Sequence, residues 1–86
     1  MTNAMSSKTT KTEDWKTRLL EELKELHSKI IKLSNFMDDE NAKLSRKEWT
    51  ILERQYRTMH EYQCALLDRC SYYGLIKDER DEYLRY

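Results

Sequence analysis

Eighty-six residues allow one small domain, and a chain of that size buries little apolar surface without a disulfide, a metal or a partner chain. Charged residues make up 37% of it, proline is absent and Gly74 is the only glycine, which suits long solvated helices and withholds the turns a β protein needs. Sixteen basic residues cancel sixteen acidic ones, so no global field draws the chain to double-stranded DNA or an anionic membrane, and any anion site must be local.

Residues 1–11 are short polar side chains and lysines without periodicity, which reads as a disordered arm ahead of a helical domain over 12–86. Thr12 is a plausible N-cap with Glu13 and Asp14 in the first turn. The series Leu19, Leu23, Leu26, Ile30, Leu33, Met37 then advances by threes and fours and predicts an amphipathic helix over 13–38. Asp38-Asp39-Glu40-Asn41 ends that pattern and leaves a loop short enough for antiparallel neighbours.

Leu44-Ser45-Arg46-Lys47-Glu48-Trp49 reads as a complete helix start. Ser45 can accept from the Glu48 amide, Glu48 can reach back to the Ser45 amide, and Leu44 can staple onto Trp49. A second helix over 46–73 repeats the heptad spacing through Trp49, Leu52, Tyr56, Met59, Gln63, Leu66, Cys70 and Tyr73. Gly74 follows at the place of a left-handed C-cap that Leu75 or Ile76 can close. Asp78 can cap a terminal turn over Glu79 to Tyr86, whose Tyr83 and Leu84 would dock back onto the hairpin. The expected fold is all-α: an antiparallel two-helix hairpin, about 13–38 and 46–73, with a short C-terminal helix. Leu20 and Ile31 on the first helix, and Ile51, Tyr62 and Leu67 on the second, widen both apolar faces beyond a two-stranded seam, so a helical-bundle homo-oligomer is expected.

Little in the chain points to catalysis. Cys64 and Cys70 lie six apart on one helix and face different ways, which disfavours an intrachain disulfide. His60 and Cys64 share a helix face, but two ligands without a second pair make no recognised metal motif, and neither metal nor cofactor is expected. Glu21-Glu22 and Asp38-Asp39 read as solvated positions and a helix end rather than catalytic carboxylates, so an enzyme is not expected. No long apolar span or signal segment is evident, which makes a reducing cytoplasm the simplest address.

Binding chemistry is better represented. Gln63 occupies an apolar seam position, where an amide must find partners or cost roughly 1–3 kcal/mol. It either specifies register and oligomer state or hydrogen-bonds a ligand in a central cavity. Arg54, Arg57, Arg69 and Tyr72 lie on the outer half of the second helix, a mixture able to hold phosphate by guanidinium forks and stack a base on a ring. The alternative is ordinary surface pairing of those arginines with Glu53 and Glu61. Six tyrosines, concentrated toward the C-terminus, favour a recognition surface over a purely structural rod.

The run Leu23-x-x-Leu26-x-x-x-Ile30-x-x-Leu33-x-x-Phe36, then Leu44-Ser45, then Gln55-x-x-x-Met59-x-x-Tyr62-x-x-x-Leu66-x-x-Arg69, resembles a family of very small proteins encoded by crAss-like and other tailed bacteriophages. The resemblance spans roughly residues 18–73 and rests on heptads; the basic arm and the tyrosine-rich end go beyond it. It implies a phage gene product acting in the host cytoplasm, with no catalytic residues to carry over. Phage accessory proteins of this size often block a host protein or sequester an immune signal. The sequence reading therefore expects an oligomeric counter-defence protein that binds a cyclic nucleotide or ADP-ribose-type signal. Direct inhibition of a host defence protein stands second, and a structural coiled-coil assembly piece third.

Overall fold

The computed structural model of the chain describes residues 2–77 and 79–84, with side chains from Asp14 onward. Four elements follow in order: α1 (Thr2–Asp38), a 3-10 turn (Glu40–Ala42), α2 (Arg46–Tyr72) and α3 (Arg80–Tyr83). α1 and α2 lie against each other as a hairpin, and α3 follows as a single turn; no strand occurs among the described residues.

The hairpin closes as the sequence predicts. The Asp39 carboxylate accepts from the Asn41 amide at 2.9 Å to start the 3-10 turn, and Lys43 reverses the chain at φ 50. Ser45 Oγ then accepts from the Glu48 amide and Glu48 Oε1 from the Ser45 amide, each at 3.1 Å, completing the capping box. Those bonds hold the Glu48 carboxyl below its ordinary value, the Ser45 backbone N–H first and its side chain second. At the far end Gly74 turns left-handed at φ 71; its amide donates to Ser71 and the Leu75 amide to Cys70, the bond pair of a Schellman cap.

α1 begins at Thr2, so Thr12 lies inside the helix rather than capping it, and the backbone of 2–11 is helical where an unstructured arm was expected. The segment holds neither glycine nor proline, and each residue added to a helix already nucleated by packing gains a hydrogen bond without a new nucleation cost. The cap expected at Asp78 lies outside the described residues. α3 spans Arg80–Tyr83 instead of running from Glu79, and Leu84 is 40% exposed rather than docked.

Burial is concentrated at one end. Leu19, Leu23, Leu26 and Ile30 of α1 meet Leu66, Leu67 and Cys70 of α2, and Ile76 closes over them. Each fully buried leucine or isoleucine contributes about 1.5–3 kcal/mol. Leu67, expected on the flank of the seam, is fully buried, because Ile76 and the returning chain bring a third surface to that end. At the turn end the seam is less deeply covered: Leu33, Met37, Leu52 and Tyr56 are half-buried, Trp49, expected in the core, is 41% exposed, and Phe36 and Ile51 beside the seam are exposed. Among the described residues nothing comparable to Ile76 reaches that far.

Candidate functional site

Gln63 lies at the centre of the buried end, wholly enclosed. Its Nε2 donates to the Tyr83 carbonyl at 2.8 Å, and its Oε1 lies 2.9 Å from His27 Nδ1, which donates in the Nδ1–H tautomer. The His27 ring meets the Tyr83 ring edge-on, with centroids 4.8 Å apart. One side chain from each helix and the C-terminal turn thus form a closed polar cluster. Burial raises the Tyr83 phenol above its ordinary value, with Cys70, Glu79 and Glu82 adding negative charge nearby. Burial also raises the Cys70 thiol, opposed by Arg69. Arg80 ties the same turn to α2 through Asp68 at 2.7 Å and Ser71 at 3.1 Å.

Several depressions mark the outer surface of the described residues. One of about 270 Å³, between Ser34, Met37, Asp38, Trp49, Glu53 and Tyr56, is apolar and acidic and offers no cation. A second of about 330 Å³ belongs to α2 alone, where Arg57 and His60 are balanced by Glu53 and Glu61 around Tyr56. A third, also about 330 Å³, is built by both helices: Trp15, Arg18, Leu19 and Glu22 from α1, and Arg69 from α2. It sets two guanidiniums and an indole against one carboxylate.

The residues selected from sequence do not converge within one chain. Arg57 and Arg69 stand in different depressions, about 18 Å apart along α2 at 1.5 Å per residue. Arg54 is exposed on the helix surface. Tyr72 is 84% exposed, with its ring against Tyr73. The amide of Gln63 is engaged inside the fold on both of its polar atoms. Sequence reasoning missed Trp15, Arg18 and Glu22, which precede or flank the heptad seam and meet Arg69 only once the hairpin is closed. The usable signal was the turn: pairing the helices about Ala42 sets Arg69 opposite Trp15.

These residues sit within the stretch that comparison singles out, since the Sequestin family model matches residues 13–72. The chain belongs to the Sequestin family. No curated protein and no solved structure matches the chain. The Sequestin segment overlaps the run from 18 to 73 on which the sequence resemblance rests, and it contains every side chain of the Trp15–Arg69 depression. It stops before Tyr83, so the partner of Gln63 comes from outside the Sequestin match. None of the helices among the described residues is long and apolar enough to cross a membrane.

Proposed function

We propose that this chain is a non-enzymatic phage accessory protein that sequesters a phosphate-bearing nucleotide-type signal, of the cyclic nucleotide or ADP-ribose class, in the bacterial cytoplasm. The observation that carries the reading is the Sequestin match over residues 13–72, a family name that denotes capture. Cationic and aromatic side chains that can receive such a ligand support it: Arg57 beside Tyr56 and His60, and Arg69 beside Trp15 and Arg18. Arg54 and Tyr72 remain candidates on the same helix. A non-catalytic role is supported by the engagement of both histidines in packing, His27 with Gln63 and Tyr83, and His60 against the Tyr56 ring with centroids 5.9 Å apart.

The working form is a homo-oligomer of the hairpin. Phe36, Trp49 and Ile51 leave apolar surface exposed at the turn end of a chain with a small core, and a second copy is the occupant that buries it. Light scattering at micromolar concentration checks this; a monomer of 10.5 kDa would contradict it. The same exposed end favours the second reading, in which the chain inhibits a host defence protein by direct contact. A thermal panel of cyclic di- and oligonucleotides and ADP-ribose derivatives separates the two. A ligand at about one hundred times its Kd adds about 2.7 kcal/mol to the folded state, whereas a protein inhibitor gives no shift with any of them.

A further inference from the structure

The depression between Trp15, Arg18, Leu19, Glu22 and Arg69 has the parts of a nucleotide site, and none of its α1 residues was selected by motif. Trp15, Arg18, Leu19 and Glu22 recur at three- and four-residue spacing, so one face of α1 presents them together, and α2 adds Arg69 from across the groove. Tyr73 meets the indole edge-on, with centroids 4.7 Å apart and planes at 73°, which fixes the tilt of the Trp15 ring.

Each charged group retains bonding capacity. Arg18 spends one nitrogen on Asp14 at 2.8 Å in a solvent-exposed pair, the kind worth little and readily exchanged for a phosphate. Glu22 accepts the Tyr62 hydroxyl, and a carboxylate with two oxygens has room for a further donor. Arg69 and Arg18 are both exposed, so neither is held by the core.

We infer that this depression is the ligand site of the chain and takes an amine-bearing nucleoside phosphate: the base lies on Trp15, its exocyclic amine donates to Glu22, and the guanidiniums of Arg18 and Arg69 hold the phosphate. Both signs of charge in one groove suit such a ligand better than a bare anion, which Glu22 repels, or a bare base, which leaves the arginines unused. The assignment rests on the sequestration reading and narrows it to one groove, with Arg57 outside.

The test uses the full chain carrying Trp49→Phe, so that Trp15 is the sole fluorophore of its kind. Cyclic di-AMP and ADP-ribose are titrated against indole fluorescence and, in parallel, by calorimetry. Binding should quench Trp15. Arg18→Ala and Arg69→Ala should each weaken binding about tenfold or more, while Lys47→Ala, an exposed cation at the other end of α2, changes it less than about twofold. Glu22→Gln should lose the preference for cyclic di-AMP over its inosine analogue, which lacks the amine. Circular dichroism checks that each variant keeps the parent's helix content. If the nucleotides bind by calorimetry but Arg18→Ala and Arg69→Ala bind like the parent, or Arg57→Ala alone abolishes binding, the groove assignment is overturned and sequestration stands. If neither nucleotide binds at millimolar concentration, the sequestration reading itself fails for this ligand class, and the groove assignment falls with it.

Discussion

The two ends of the hairpin are built from the same heptad pattern and end in opposite states. At the tail end, the apolar faces of Leu19, Leu23, Leu26 and Ile30 and of Leu66, Leu67 and Cys70 are sealed by Ile76 and Tyr83, and the buried amide of Gln63 is bonded on both of its polar atoms. At the turn end the pattern continues through Leu33, Met37, Leu52 and Tyr56, which are only half-buried, and Trp49, Phe36 and Ile51 are exposed. Two helices cannot enclose a core by themselves, since each covers one side of the other; a third surface is what converts a seam into an interior. The chain supplies that surface at one end from its own C-terminus; at the other end the proposed second copy would have to supply it.

The contrast can be broken first by cavities. Leu66→Ala at the sealed end should cost about 2–5 kcal/mol, whereas Trp49→Ala should fall well short of the roughly 3–5 kcal/mol of a buried tryptophan. Urea melts at low protein concentration compare them; equal losses would show the turn end to be core. Gln63→Ala should follow at about 1–3 kcal/mol, because it removes the buried bonds to His27 Nδ1 and to the Tyr83 carbonyl together. Hydrogen exchange should then rise around α3 and leave the turn end unchanged. Gly74→Ala should cost about 1 kcal/mol from its left-handed φ of 71, with no added clash against other parts of the fold, since none of them lies within 4 Å of the added carbon.

The smallest effect belongs to the exposed cap. Because Glu48 has a carboxyl held below its ordinary 4.5, its contribution is present above that pH and is lost as pH falls through the lowered value. Glu48→Gln should therefore narrow the gap between melting temperatures at pH 7 and pH 3. A gap as wide as the parent's would show that the carboxylate adds nothing to the cap.

What the sequence disclosed follows the same division. Local chemistry was legible: the Ser45–Glu48 box, the turn before it and the left-handed Gly74 depend on residues within a few positions of each other. Both helix faces were legible from spacing. Depth was not, because periodicity says which side of a helix is apolar and not whether anything covers it, so Trp49 and Leu66 looked alike. The role of Gln63 needed the C-terminus to fold back, and the groove of Trp15, Arg18 and Arg69 needed the two helices in register. The helical start at Thr2 was hidden by polar composition, which marks a segment that buries little and does not by itself stop a helix.

The central claim is capture without conversion, and retention followed by release tests it most directly. Cyclic di-AMP or ADP-ribose is incubated with excess protein, passed through a filter that retains the chain, and the retained fraction is then heat-denatured and analysed by chromatography. The account predicts that the nucleotide stays above the filter and returns chemically unchanged on denaturation. A nucleotide that passes freely, or one recovered as a cleaved or altered product, would contradict it.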